Sequence, residues 1–176
     1  TLVVSLETPT KKYTDFTLTE VNNLYDISNL EVPDIPDLPP FEGISTEALD
    51  SDIHKKSLNR LLDELDSRIR AIPSHTANEA TCSAYVCSFL TQAVLIFEGI
   101  LTLSPERALH GKHGHGKVDY STEASAGGMT HTLGVTEVKQ DDFKKGVTQN
   151  CVQLESALTI RKKRKRKDDD EEVEED

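Results

Sequence analysis

Hydrophobic and polar residues alternate along two stretches in the second half of the chain. The first stretch runs from Val118 to Glu123 and the second from Leu133 to Val138. A period of two is typical of strands, and Ala126-Gly127-Gly128-Met129 between them offers the positive-φ positions that a reversal needs. We therefore predict an antiparallel pair that brings Asp119 within reach of Glu137.

Three other stretches have the three- or four-residue spacing of amphipathic helices. The first is capped by Ser45 or Thr46 and ends before Pro73, because proline disfavours helix in the preceding residue. The second begins with a capping box between Thr76 and Glu79. The third runs from about Asp142 to Leu158, with one apolar face predicted from five residues: Phe143, Val147, Cys151, Leu154 and Leu158.

Composition divides the chain into three parts. Residues 1–44 are predicted to be extended, because the run VPDIPDLPP carries four prolines in nine residues. Residues 45–160 hold the periodic segments, including a strand at 100–103, and form the predicted domain. Residues 161–176 are a basic block followed by an acidic block, which cannot bury apolar surface, so we predict a disordered tail.

Charge limits the kind of partner that the chain can bind. The net charge is −11, and outside the two blocks of the tail 13 positive residues stand against 23 negative ones. This balance disfavours broad attraction to a polyphosphate. A nucleic-acid contact would have to be local, mediated by a metal ion, or supplied by the basic run.

The most informative chemistry lies at Glu137 and Lys139. Side chains alternate across a strand, so these two residues point to the same face. If Asp119 faces the same way, two carboxylates and a lysine converge. Such a set suits a hard divalent cation bound through oxygen atoms, completed by the Val138 carbonyl and water.

An aspartate, a turn and then Glu-x-Lys resemble the PD-(D/E)xK nuclease-like superfamily. Two sequence segments, HGKHGHGKVDY and LGVTEVKQDDFKKGVTQNCVQLESAL, resemble the nuclease-like region of fungal crinkler-type proteins and of related uncharacterised proteins from arbuscular mycorrhizal fungi. The resemblance covers residues 45 to 160 and is strong from Gly111 to Leu158. It implies an α/β, restriction-endonuclease-like core: a helix, a three-stranded antiparallel-rich sheet and a helix. Further strands do not follow Ile160, so we expect a truncated copy.

The resemblance also implies roles for individual residues. Asp119 and Glu137, with the Val138 carbonyl, are expected to hold Mg²⁺ or Mn²⁺, and Lys139 to assist the attacking water. Glu79 is a possible further ligand, although the capping box alone would explain a glutamate there. Gln149 and Gln153 match a glutamine pair that some of these nucleases place beside the metal; exposed glutamines are the alternative.

Other metal-binding residue types carry weaker signals. His110, His113 and His115 could bind a transition metal, but histidines separated by glycines impose no geometry, so a solvated or phosphate-facing loop is favoured. The three cysteines have no close ligand spacing and are interpreted as buried, reduced thiols of an intracellular protein: Cys82, Cys87 and Cys151.

Two functions remain open at this point. The leading hypothesis is a Mg²⁺-dependent nuclease acting on DNA or RNA, and the alternative is an inactive nuclease-like module that acts as a nuclear effector. No membrane segment is visible, and a secretion signal upstream stays open. Nuclear localisation through an import receptor is predicted from seven consecutive cations: Arg161, Lys162, Lys163, Arg164, Lys165, Arg166 and Lys167.

Overall fold

A computed structural model describes residues 10–27, 50–72, 78–126 and 129–172 of the chain. The predicted proline-rich linker, the proposed caps at Ser45, Thr46 and Thr76, and the reversal at Gly127-Gly128 lie outside these residues. The elements, in chain order, are β1 (Lys11–Lys12), a short 3-10 helix (Tyr13–Asp15), α1 (Leu18–Tyr25), α2 (Asp52–Ala71), α3 (Glu79–Leu95), β2 (Leu101–His110), β3 (Gly114–Ala126), β4 (Met129–Thr136) and α4 (Phe143–Glu172).

The fold is α/β, as predicted, with β3 at the centre of a four-stranded sheet. β2 pairs with β3 antiparallel, and β4 pairs antiparallel with the later part of β3, where Tyr120 lies opposite Thr136. The predicted antiparallel pair is therefore confirmed. The sheet is nevertheless mixed, because β1 pairs in parallel with the start of β3 at Gly114 and His115. A three-stranded, antiparallel-rich sheet was expected, and β1 was missed.

Residues 10–27 form secondary structure and pack in the core, which corrects the prediction of an extended N-terminal segment for this part of the chain. Tyr13 is 2% exposed and Val21 is fully buried, and both pack in one cluster with Val152 of α4. A capping box starts α1: the Glu20 amide donates to Thr17 Oγ1 at 3.2 Å, and the Thr17 amide donates to Glu20 Oε2 at 2.8 Å. Residues 10–27 fold because removing these apolar side chains from water is favourable, and an extended segment would leave them exposed.

The histidine- and glycine-rich loop is a tight hairpin end between β2 and β3, packed beneath α4. A Cβ atom at Gly111 would lie 2.6 Å from Ser156 Cα, and one at Gly114 would lie 2.6 Å from Val152 Cγ1. The glycines are therefore needed for close approach, not for mobility. The solvated-loop interpretation is wrong here. The rings of His110 and His115 stack with their centroids 5.2 Å apart, and His115 Nδ1 contacts Thr10 Oγ1 at 2.8 Å. His113 packs edge-on against Tyr25.

The helices differ from the prediction at their ends. α2 begins at Asp52 after the N-cap Ser51, and α3 begins after the N-cap Asn78, whose Oδ1 accepts the Thr81 amide at 2.9 Å. α4 begins as predicted, since Asp142 Oδ1 accepts the Lys145 amide at 2.9 Å. It continues to Glu172, whereas disorder was predicted from Arg161. Lysine, arginine and glutamate all favour helix, so a charged run can extend a helix that packing has started.

Two predicted apolar faces are only partly buried. On α2, whose leucines and isoleucines were predicted to share one apolar face, Leu62 is 55% exposed and Ile69 is 59% exposed. On α4, three of the five residues predicted to face the core are exposed, namely Phe143, Leu154 and Leu158. The helix instead buries a more polar face: Thr148, Gln149, Val152, Gln153, Ser156 and Ala157.

Candidate functional site

Four elements, or the segments that follow them, bring the predicted site residues together. Asp119 lies on β3, and Glu137 and Lys139 follow the last residue of β4. Glu79 is the first residue of α3, while Gln149 and Gln153 are one turn apart on α4. The site is therefore built at the end of the sheet, where β4 leaves it and turns into α4.

Glu137 is enclosed by hydrogen-bond donors. Its side chain is 5% exposed. Oε1 accepts from Lys139 Nζ at 2.7 Å and from Gln149 Nε2 at 2.9 Å, while Oε2 accepts from Gln153 Nε2 at 2.7 Å. Hydrogen bonds to an ionised group are short and strong, so these donors fix the orientation of the buried carboxylate.

The two glutamines are buried, which excludes the exposed-glutamine alternative. Gln149 is 3% exposed and Gln153 is fully buried. Their Oε1 atoms are also buried, and neither finds a hydrogen-bond partner among the described residues. An unsatisfied buried carbonyl costs free energy. Both unsatisfied oxygen atoms belong to side chains whose NH₂ groups donate hydrogen bonds to Glu137.

Lys139 is the cationic centre of the cluster. Besides Glu137, its Nζ atom donates to Glu79 Oε1 at 3.2 Å and to the Val138 carbonyl at 3.0 Å. Burial alone would lower the pKa of Lys139, but the hydrogen bond and charge of Glu137, followed by those of Glu79, raise it overall. At neutral pH Lys139 is therefore an ammonium ion, and it can supply charge and orientation but not accept a proton.

Asp119 joins the cluster through the backbone. Its Oδ2 atom accepts the Val138 amide at 2.7 Å, which ties β3 to the segment after β4. Burial, opposed by that hydrogen bond, raises the pKa of Asp119, and the nearby charges of Glu137 and Glu79 add to the increase. The bond to the Val138 amide places Asp119 beside the segment that carries Glu137, as the antiparallel pair predicted.

Glu79 contributes to the cluster and not to a capping box. Asn78 is the N-cap of α3, so Glu79 occupies the first helical position and not the third. Its carboxylate is 57% exposed and forms an ion pair with Lys139 at 3.2 Å. The capping explanation for this residue is therefore wrong, and its carboxylate pairs with the central lysine.

The donor atoms fit a hard divalent cation by type. Three carboxylates and the Val138 carbonyl offer oxygen atoms, which Mg²⁺ and Mn²⁺ prefer. Within the described residues, however, no group of three or more His, Cys, Asp or Glu side chains is arranged to hold a metal ion. The Lys139 ammonium instead bridges Glu79, Glu137 and the carbonyl. A cation would have to replace this ammonium to use the same oxygen atoms.

A cleft of about 420 Å³ opens beside the cluster, between α3 and α4. Glu137 and Lys139 form its polar end, and Val86, Val147 and Phe143 are among its apolar walls. Sequence reasoning missed this cleft because it assigned Phe143 and Val147 to the buried face of α4. Phe143 is in fact 64% exposed. All three cysteines are free thiols, but they are half-buried and not buried as predicted, and Cys82 and Cys151 line the same cleft.

The fold and site define an α/β protein with a buried acidic and lysine cluster at the end of a mixed sheet. Crinkler effector protein 1 of Rhizophagus irregularis (strain DAOM 181602 / DAOM 197198 / MUCL 43194) is 39% identical to this chain over 162 residues. The match covers 92% of this chain and 33% of that protein, so the chain spans about a third of its relative's length. This similarity supports a crinkler-like family for the chain.

No family model matches the chain, and no solved structure matches it. In the segments that the structure describes, no helix is both long enough and apolar enough to cross a membrane.

Proposed function

We propose that this crinkler-like chain has a PD-(D/E)xK nuclease-like core and hydrolyses phosphodiester bonds of nucleic acid with Mg²⁺ or Mn²⁺. The observation that carries the proposal is the convergence of Asp119, Glu137 and Lys139 at the end of the sheet. The three side chains come from a strand and from the segment after its neighbour, and Glu79 joins them from a helix. Charged groups that are buried together at a cleft are typical of functional sites.

Each residue has a distinct role in the proposed reaction. Asp119, Glu137 and the Val138 carbonyl would hold the cation, with Glu79 as a further carboxylate. A bound divalent cation would polarise the phosphate and make water a better nucleophile. Lys139, released from the carboxylates, would orient the water and stabilise negative charge on the phosphate. Gln149 and Gln153 keep Glu137 in its orientation throughout.

The test combines metal binding with cleavage of plasmid DNA and RNA. We expect Asp119→Asn and Glu137→Gln to abolish both calorimetric Mg²⁺ binding and cleavage, because each removes a charged oxygen ligand. Lys139→Ala should still bind Mg²⁺ but cleave about 10²- to 10³-fold more slowly, since it removes a charge that acts in the transition state. Glu98→Gln, an exposed carboxylate after α3, is the matched control and should behave as the parent.

The second candidate function is an inactive nuclease-like module that acts as a nuclear effector through protein contacts. It is favoured by the Lys139 ammonium, which already pairs with the carboxylates of Glu79 and Glu137, and by the net charge of −11. If the parent binds Mg²⁺ no better than Asp119→Asn and cleaves neither substrate, the enzyme proposal is wrong. The interaction module then becomes the better account of the chain.

A further inference from the structure

The first turns of α3 are tied to the sheet by a tyrosine that the proposed reaction does not use. The hydroxyl groups of Tyr120 and Ser83 lie 2.7 Å apart, and the Tyr120 hydroxyl also donates to the Ser83 carbonyl at 3.1 Å. Tyr120 is 8% exposed and directly follows Asp119 on β3. Because the phenol is removed from water, leaving its hydroxyl without a partner would be costly. These bonds therefore fix the position of α3 on the sheet.

The tie lies next to the one exposed carboxylate of the cluster. Ser83 is one helical turn after Glu79, the first residue of α3. Residues four apart lie on the same side of a helix, about 6 Å from each other along its axis. A shift of the helix at Ser83 would therefore shift the Glu79 carboxylate, which pairs with Lys139 at 3.2 Å.

The ion pair between Glu79 and Lys139 is too weak to place the helix by itself. The Glu79 side chain is 57% exposed, and exposed ion pairs contribute little to stability because water competes for both charges. Lys139 has a closer and more buried partner in Glu137, at 2.7 Å. The contact with Glu79 therefore depends on other interactions that bring the start of α3 to the cluster.

Two neighbouring residues of β3 hold the two sides of the cluster. Asp119 accepts the amide of Val138, the residue before Lys139, at 2.7 Å. Tyr120 bonds to α3 instead. Successive side chains of a strand point to opposite faces, so one short piece of β3 serves as the reference for both the lysine segment and the helix.

We propose that Tyr120 and Ser83 are positioning residues of the candidate site, whose hydrogen bonds hold α3 where the Glu79 carboxylate meets Lys139. The inference rests on the proposed function for its effect on Mg²⁺ binding and cleavage. The contact itself is present without metal or substrate and can be measured in their absence.

The contact is measured by competitive acetylation of the protein's lysines at pH 9, with mass spectrometry giving the rate at Lys139. Glu79 helps to raise the pKa of Lys139, and a protonated amine does not react. Glu79→Gln should therefore speed acetylation of Lys139 about 1.4- to 5-fold, the range expected for losing an exposed ion pair. Tyr120→Phe should speed it to a similar extent. Combined with Glu79→Gln, it should add nothing, because both changes remove the same contact.

Graded changes at Ser83 make the test independent of one variant. Ser83→Ala retains the bond from Tyr120 to the backbone carbonyl, so its effect on Lys139 should be smaller than that of Tyr120→Phe. Ser83→Thr keeps a hydroxyl group and should react as the parent does. If Tyr120→Phe does not fold, the difference between these two variants decides the question, and equal rates in both would contradict the inference.

Tyr85→Phe is the matched control. Tyr85 lies on α3, and its hydroxyl donates to the Ile72 carbonyl at the end of α2, at 2.8 Å. The substitution removes a phenol hydroxyl that anchors the same helix on a side away from the cluster. Lys139 should keep the parent's acetylation rate. If Tyr85→Phe accelerates Lys139 as much as Tyr120→Phe does, the effect is a general loosening of α3 and the inference is wrong.

The outcomes separate this inference from the proposed function. If Mg²⁺ supports cleavage but Tyr120→Phe matches Tyr85→Phe in Lys139 acetylation, or adds to the effect of Glu79→Gln, the positioning inference is wrong and the nuclease proposal stands. If the acetylation rates follow the expected order but Mg²⁺ neither binds nor produces cleavage, the positioning inference stands and the nuclease proposal is wrong. If both are correct, Tyr120→Phe should lower Mg²⁺ affinity no more than Glu79→Gln does.

Discussion

Lys139 is the residue on which the proposed site depends most. In the structure its ammonium joins Glu137, Glu79 and the Val138 carbonyl, and its side chain is only 14% exposed. A buried ion pair is costly to break because the remaining charge loses its partner. A divalent cation could take over this role, since it would supply more positive charge to the same oxygen atoms. Metal binding and release of Lys139 would then be a single event.

Gly146 sets the position of Lys139 and gives a prediction of its own. A Cβ atom at Gly146 would lie 3.2 Å from Lys139 Cγ, which is tight enough to displace the lysine stem. Alanine in place of glycine in a helix usually adds about 1 kcal/mol of stability. We therefore expect Gly146→Ala to unfold at the same or a higher temperature while cleavage falls about tenfold or more, because small misplacements of a catalytic group are costly.

Thermal denaturation and cleavage kinetics measure the two effects of Gly146→Ala separately. Gly134→Ala on β4 is the matched control, because a Cβ atom there would meet nothing within 4 Å. The control should keep the parent's activity. Parent-like activity in Gly146→Ala would show that the position of the Lys139 stem does not matter.

The raised pKa of Asp119 leads us to expect that the stability of the protein depends on pH. Its pKa is raised in the folded protein, chiefly by burial, so the ionised form is disfavoured relative to the unfolded chain. The free-energy cost of ionising Asp119 in the folded protein is absent at a pH below the ordinary pKa of about 3.9. It grows as the pH rises from there through the raised pKa of the folded protein. Asn can still accept the Val138 amide, so Asp119→Asn should be more thermally stable than the parent at pH 7. The difference should vanish in acid.

Melting temperatures of the parent and Asp119→Asn across this pH range check the prediction. A variant that is less stable than the parent by the same amount at every pH would contradict it. The expected result also separates stability from function, because the same substitution should abolish Mg²⁺ binding.

At the scale of the elements, local patterns identified the central strands and the start of α4. Alternation from Val118 to Glu123 and from Leu133 to Val138 correctly predicted β3 and β4 as neighbours. That pairing was enough to bring Asp119 close to Glu137. The capping aspartate, Asp142, also marked the helix start correctly. Such features depend on residues that are near in sequence, so they can be read without a structure.

The packing of the N-terminal segment could not be read in the same way. Thr10 contacts His115, a residue 105 positions away, and β1 pairs with β3 at Gly114. Pairing over such a distance leaves no periodic signal in either segment. The capping box from Thr17 to Glu20 was a local signal that could have predicted α1, although not the place where it packs.

The orientation of α4 was mispredicted for a different physical reason. Counting apolar residues placed Phe143 and Leu158 inside, whereas the helix buries Gln149, Gln153 and Ser156. The glutamines face inward because Glu137 needs donors, and Ser156 is small enough for the Gly111 backbone to approach. Hydropathy measures the cost of exposing a side chain, but it does not record such hydrogen bonds or close backbone contacts.

For the whole molecule, the distribution of charge matters more than its total. Three carboxylates meet one lysine at the cluster, a local excess of negative charge that favours a cation, while Lys144 and Lys145 lie exposed at the start of α4. A strongly acidic chain is thus suited to hold a cation locally, and a phosphate that its overall field repels would have to approach through that cation. Long-range attraction would have to come from the basic run that begins at Arg161.

That basic run gives the last prediction, which concerns localisation. The seven cations from Arg161 to Lys167 are proposed to bind an acidic import receptor and so carry the protein into the nucleus. The backbone here is helical, within α4. Because alanine is the best helix former, replacing all seven residues with alanine removes the charge and retains the helix propensity.

The measurement is the nuclear fraction of a fluorescent fusion too large to diffuse through the nuclear pore. The alanine variant should be excluded from the nucleus. A matched variant in which the acidic residues from Asp168 to Glu172 become asparagine and glutamine should remain nuclear, or enter more efficiently, since it removes negative charge that screens the cations. If the alanine variant is as nuclear as the parent, the basic run does not direct import, and its charge is better explained by solubility.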